Sequence, residues 1–217
     1  MSLVGKNRKI YSYNNKDRSG RNFMYKNFEK TNSYHSSFQK AVFAYASFRA
    51  AKMKYCCFRY ASFIGAEFVG SNLRGSCFDN ATFKNTIFSS TVLDNTSFIN
   101  ASFDNCFFVG TGVSSVKGIT PPTTGISLLK SYPDPSAFSA ELMQTVELLR
   151  DNDIIRHSNT LHLKGHRINT LGLLILKQYY SEDELIKFLP QIPRLLSKEF
   201  YTTSYLIKRL KKISASV

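Results

Sequence analysis

Large apolar residues recur at every fifth position from Phe38 to Phe108 without interruption: Phe38, Phe43, Phe48, Met53, Phe58, Phe63, Phe68, Leu73, Phe78, Phe83, Phe88, Leu93, Phe98, Phe103, Phe108. Two residues before each stands a small one, from Ser36 and Ala41 through to Ala101 and Cys106. Neither a 3.6-residue helical period nor a two-residue strand period keeps such columns on one face. A chain that turns through a fixed angle every five residues does. Phe23 and Phe28 share the register, whereas Ser33 interrupts it, so 21–35 reads as an imperfect first coil. Val113 is the last central residue expected, and Gly118 with Pro121-Pro122 is expected to end the series.

Motifs such as Ala81-Thr82-Phe83-Lys84-Asn85 and Ala101-Ser102-Phe103-Asp104-Asn105 resemble the pentapeptide-repeat family over residues 21–115. That resemblance implies a right-handed quadrilateral β-helix, four pentapeptides to a square coil. Each coil would bury its apolar side only against its neighbours. Stacking by twenty residues then places Asn80 and Asn100 in one outer column and Asn85 and Asn105 in another, as corner residues that tolerate left-handed backbone. Cys57 and Cys77 share an outward column and read as surface thiols, while Cys56 and Cys106 fill small inward positions.

After Pro121-Pro122 the period of five gives way to helical spacing. One helix is expected from about Ser136, a second over Leu171–Tyr180, and a third opened by the capping box Ser181…Glu184 and closed by Pro190. The longest is expected over Arg194–Ile213. The organisation read from the sequence is therefore a basic arm over 1–20, the β-helix over 21–118, a Pro-containing linker over 119–135 and an all-α module over 136–217.

Charge adds a direction to this picture. The 217 residues carry 29 Lys and Arg against 15 Asp and Glu, a net +14. Residues 31–60 contain Lys40, Arg49, Lys52, Lys54 and Arg59 and no acid. They also contain Tyr34, Tyr45, Tyr55 and Tyr60, and basic groups beside flat rings suit a phosphate backbone. Arg49, Lys54 and Arg59 are expected as a belt on three successive sides of one coil. The last helix ends in Lys208, Arg209, Lys211 and Lys212, a second candidate contact. The partners open at this level are a nucleic acid or its protein complex, an acidic protein, an anionic membrane surface, and a further copy through the solenoid end or the helical module.

Nothing in the chain calls for catalysis. No GxSxG, P-loop, GxGxxG or HExxH occurs, and His162 and His166 have no third ligand nearby in sequence, so neither metal nor cofactor is expected. No apolar run reaches the length of a membrane span, and the polar start lacks a secretory apolar region; the expected location is cytoplasmic. The reading is a non-enzymatic adaptor. The family resemblance implies one alternative, protection of DNA gyrase by topoisomerase binding, although that activity goes with an acidic rod and this one is basic. Membrane-surface association through the basic tail is the other alternative.

Overall fold

The structure is a computed structural model and describes residues 12–215. It divides at Ser131/Tyr132 into two compact units.

The first unit is a parallel β-solenoid with four-sided coils, a quadrilateral β-helix. Bridges join residues twenty apart on every side, as in Ser12↔Asn32, Asp17↔Ser37, Asn22↔Val42 and Asn27↔Ser47. In the middle coils the pairing is long enough to form strands. On one side β1 (Ser62–Ile64), β3 (Thr82–Lys84) and β5 (Ser102–Asp104) form a sheet; on the next, β2 (Glu67–Val69), β4 (Ile87–Ser89), β6 (Cys106–Val109) and β7 (Ile126–Leu129) form another. All pairs are parallel and in register, for example Phe63↔Phe83 and Phe83↔Phe103.

Three sides of the lumen are lined by phenylalanine, which stacks from coil to coil. One stack runs Phe38, Phe58, Phe78, Phe98, with centroids 5.1, 4.8 and 4.8 Å apart. A second runs from Phe23 to Phe103, and a third from Phe28 to Phe108. The fourth side never carries Phe. Its central residues are Tyr13, Ser33, Met53, Leu73, Leu93 and Val113, and we call it the aliphatic side. A close-packed lumen has room for three rings and one smaller group per coil.

This explains the break at Ser33, which falls on the aliphatic side and is fully buried. Its hydroxyl accepts from the Tyr13 amide at 3.2 Å. The Tyr13 ring lies within 5.8–6.4 Å of Phe23, Phe28 and Phe38, so one aromatic of the first coil touches all three stacks.

The small inward column does more than leave space. Its hydroxyls and thiols donate to central carbonyls of the preceding coil: Ser76 Oγ to Met53 at 2.7 Å, Thr91 Oγ1 to Phe68 at 2.7 Å, Cys56 Sγ to Ser33 at 3.2 Å, and Thr86 to Phe63. Burial pushes the Cys56 and Cys106 thiols up to about 11, consistent with packing roles.

The solenoid is longer than the sequence suggested. Coil pairing is already present at Ser12, within the segment expected as an arm; residues 1–11 of that arm lie outside the described residues. It also continues through the segment expected as a linker, because Cys106↔Ile126 and Phe108↔Leu128 keep the spacing of twenty across Pro121-Pro122. Gly125 makes that closure feasible: a Cβ there would lie 2.1 Å from the Phe103 carbonyl oxygen.

The second unit contains α1 (Ala140–Leu148), α2 (Asp153–Ser158), α3 (Thr170–Leu176), α4 (Glu182–Phe188) and α5 (Thr203–Ser214). Ser136 lies in a 3-10 turn over Pro135–Ala137, and α1 starts later, where Ser139 accepts from the Leu142 amide at 3.2 Å. The capping box Ser181…Glu184 forms as expected. The long helix expected over Arg194–Ile213 does not. Leu189–Leu195 is a 3-10 segment containing Pro193, and the α-helix begins only at Thr203, capped by Thr202. Aromatic and β-branched residues in Phe200-Tyr201-Thr202-Thr203 are weak helix formers, and the Thr202 hydroxyl supplies a start signal there.

Candidate interaction surface

The corners between sides decide what the surface can display. Every fifth residue from Asn15 to Gly110 adopts left-handed backbone, with φ between 49° and 68°. From Gly65 onward these corners are Gly or Asn, apart from Ser90. From Tyr25 to Tyr60 they are Tyr, Lys, His and Ala: eight successive residues whose Cβ opposes that conformation, at about 1–2 kcal/mol each. Backbone strain of this kind is concentrated on the half of the solenoid that also carries the excess positive charge.

Two of these corners carry aromatic stacks. Tyr25 and Tyr45 lie 5.2 Å apart and nearly parallel, and so do His35 and Tyr55 at 5.1 Å. The Tyr55 ring continues over Gly75, where a Cβ would come within 2.5 Å of it. Tyr60, at a third corner, stays more than half exposed.

From the third coil on, three outward cations are paired with carboxylates one coil further on, whereas among the described residues Lys117 and Lys130 are not. Arg59 meets Asp79 at 3.4 Å, Arg74 meets Asp94 at 2.5 Å and Lys84 meets Asp104 at 2.6 Å, always twenty residues apart. Burial works against ionisation of Asp79, but hydrogen bonds from Ser97, Cys77 and the Ile99 amide, with Arg59, hold its carboxyl below the usual range. The Arg74 guanidinium is pushed further up by Asp94.

Counting coil one as residues 12–30, coil two as 31–50 and coil three as 51–70, the described cations up to Lys54 lack such pairs, Lys16, Arg18, Arg21 and Lys26 on coil one included. Among the described residues, Lys30, Lys40, Arg49, Lys52 and Lys54 have no carboxylate within ion-pair distance. Lys54 Nζ instead sits 5.0 Å above the Tyr34 ring. The expected belt is present in outline, since Arg49, Lys54 and Arg59 occupy three successive sides, but Arg59 sits beside Asp79. Lys52 and Lys54 flank Met53 on the aliphatic side. Arg49 stands just round the corner from them, and its carbonyl accepts from the Lys30 amide at 2.9 Å. Lys40 and Tyr60 share the far corner column, and Tyr45 lies between the Phe43 and Phe48 sides. The sequence does not single out Lys30, His35 and Arg74 as site residues, though the spacing of twenty from Ala50, Tyr55 and Asp94 marks each of them.

In the second unit, α5 uses part of its basic end internally. Arg209 Nε donates to the Tyr205 hydroxyl at 2.9 Å and its guanidinium covers that ring, and Lys211 Nζ lies 5.3 Å from the Tyr179 ring. Lys208 and Lys212 are exposed. Leu206, Leu210 and Ile213 are buried. His162 is also buried, its Nε2 bonded to the Val146 carbonyl at 2.8 Å, and burial lowers its pKa. His166 is exposed at a left-handed turn, so the two histidines do not form a pair.

Residues 46–85 and 76–111 match the family model for pentapeptide repeats, in eight copies. Residues 46–111, within the solenoid, are a pentapeptide-repeat segment. Among solved structures, the chain is similar to a pentapeptide-repeat protein from the thylakoid lumen of Arabidopsis thaliana, at 23% identity and a TM-score of 0.35, covering 46% of this chain and 67% of that one. It is also similar to HetL, a pentapeptide-repeat protein involved in regulation of heterocyst differentiation from Nostoc sp. PCC 7120, at 8% identity and a TM-score of 0.28, covering 48% and 50%. A third is the plasmid-mediated fluoroquinolone resistance protein QnrB1, at 14% identity and a TM-score of 0.21, covering 58% and 87%. No curated protein matches the sequence. Pentapeptide repeats supply a rigid scaffold; the chemistry displayed on this one is its own outward residues.

Proposed function

We propose that this protein is a non-enzymatic binding protein whose pentapeptide-repeat solenoid holds an anionic macromolecular partner against coils two and three. The observation that carries the reading is the contrast in pairing. Arg59, Arg74 and Lys84 each have a carboxylate twenty residues on, whereas Lys30, Arg49, Lys52 and Lys54 have none among the described residues and cluster on and beside the aliphatic side. A surface meant only for solubility mixes both signs. Uncompensated charge on a rigid, strained scaffold suits capture of the opposite charge.

The helical unit supplies a second contact in this adaptor. Because Leu206, Leu210 and Ile213 are buried, α5 has no broad apolar face for a bilayer, and its exposed Lys208 and Lys212 suit a protein or a charged surface better than membrane insertion. Mimicry of DNA towards a topoisomerase finds no support in the charge: Asp79, Asp94 and Asp104 are all engaged by bases.

Heparin chromatography of the full chain tests the reading. Arg49→Ala, Lys52→Ala and Lys54→Ala together are expected to lower the eluting salt clearly more than the charge-matched Lys117→Ala, Lys130→Ala and Lys164→Ala. Equal shifts would mean that only net charge matters and would remove the assignment.

A further inference from the structure

Resting on that reading, we propose that the partner held by coils two and three is a nucleic-acid duplex, gripped by its phosphodiester backbone and not by its bases.

The aromatic rings supply the first argument. Interleaved Tyr and basic residues suggest a base-stacking platform for single strands, but on and beside the aliphatic side most ring faces are already taken. A base slipped between two rings needs them about 6.8 Å apart, twice the base-stacking step of about 3.4 Å. The His35 and Tyr55 rings are 5.1 Å apart and the Tyr25 and Tyr45 rings 5.2 Å apart. That spacing cannot open, because the coils beneath are tied by backbone bonds such as His35 amide to Lys54 carbonyl at 3.3 Å and Tyr25 amide to Ala44 carbonyl at 2.8 Å. The second face of Tyr55 lies on Gly75, and a face of Tyr34 is covered by Lys54. Of the rings on and beside the aliphatic side, Tyr55 is covered on both faces, and Tyr34 and His35 each on at least one.

The second argument is what the surface lacks. Protein partners are anchored by apolar or aromatic groups filling pockets. On coils two to four the aliphatic side displays Asn32, Tyr34, Lys52, Lys54, Asn72 and Arg74 outward, with no aliphatic residue among them and one ring, Tyr34, whose face Lys54 covers. Amides, hydroxyls and ammonium groups on a flat, fixed strand surface are what phosphate oxygens require. The third argument is reach. Lys52 and Lys54 lie on this side, with Arg49 and Lys30 at its edge, so a duplex along it meets up to four cations. Lys40, on the far corner, is out of range.

Fluorescence anisotropy of the full chain tests this with three probes: a duplex of about 20 base pairs, one of its strands alone, and polyglutamate. With four phosphate contacts, the logarithmic salt slope for the duplex is expected near −3.6, an affinity loss of about 150-fold from about 50 to about 200 mM salt. Lys52→Ala with Lys54→Ala is expected to bring the slope near −1.8 and the loss to about 12-fold, while Lys40→Ala leaves both unchanged. Duplexes of different sequence are expected to bind alike. Tighter binding of the single strand would overturn the proposal, as would a Lys40→Ala effect equal to that of Lys52→Ala. Binding of polyglutamate without the duplex would overturn it while leaving the anionic-partner reading intact. Binding of none of the three would remove both.

Discussion

Ala50 and Gly70 occupy the same corner column on successive coils, with φ of 53° and 62°, and each reports the cost of the left-handed corner from the opposite side. Ala50 is exposed and its amide bonds to the Val69 carbonyl at 2.8 Å, a bond that glycine would keep. Replacing it by glycine relieves a backbone penalty of about 1–2 kcal/mol. The added freedom of the unfolded chain takes back about 0.5–1 kcal/mol. Ala50→Gly is thus expected to stabilise the solenoid by about 0.5–1 kcal/mol, the reverse of an ordinary alanine-to-glycine change. Gly70→Ala is expected to destabilise by a similar amount, although nothing lies within 4 Å of the Cβ it would add, so crowding cannot be the cause. Urea denaturation followed by far-ultraviolet circular dichroism reads both as midpoint shifts at constant slope. A destabilising Ala50→Gly, or a neutral Gly70→Ala, would refute the corner argument and with it the claim that coils one to three bear strain for the side chains they display.

Phe63→Ala is expected to cost about 3–5 kcal/mol, because the ring is fully buried between Phe43 and Phe83 at 5.0 and 4.9 Å; a urea midpoint near wild type would contradict the stack. Leu73→Phe, on the aliphatic side, is expected to destabilise by about 1–3 kcal/mol even though phenylalanine fills the other three sides, and a neutral result in the same assay would remove the rule of three rings per coil. Lys177 and the Ser139 hydroxyl and amide hold the Glu182 carboxyl down at about 2. Its contribution is therefore full above the unfolded value of 4.5 and lost as pH falls towards 2, worth about 1 kcal/mol after solvent screening; Glu182→Gln should flatten that part of the stability profile of the helical unit. His162 is buried in its neutral form, so the same unit should weaken as pH drops below 6.5, where the unfolded chain takes up a proton first, and His162→Gln should abolish that slope.

Much of this architecture was legible in a single strand of text because a period of five has few structural solutions. The Phe columns, the small inward column and the outward Lys and Arg all sit where that period places them. What escaped the reading was cross-coil information. Ser33 looked like a defect until the aliphatic side showed that after Tyr13 no coil places a ring there. Pro121-Pro122 looked like an end, yet Ile126 and Leu128 keep the spacing of twenty. Arg59 read as a free cation because its partner, Asp79, is a full coil away. In the helical half the capping box at Ser181 carried its own signal, whereas Arg194–Thr202 lost its helix to Pro193 and to a cap at Thr202 that helical spacing alone does not reveal.

The central claim is that coils two and three present the anion-binding cations, and lysine footprinting tests it most directly. The full chain would be acylated with and without saturating heparin and the modified lysines quantified by mass spectrometry. Lys30, Lys52 and Lys54 are expected to be protected together, while Lys40 and Lys117, each exposed but off that surface, keep their reactivity. Protection concentrated at Lys208 and Lys212, or spread evenly over all exposed lysines, would contradict the account.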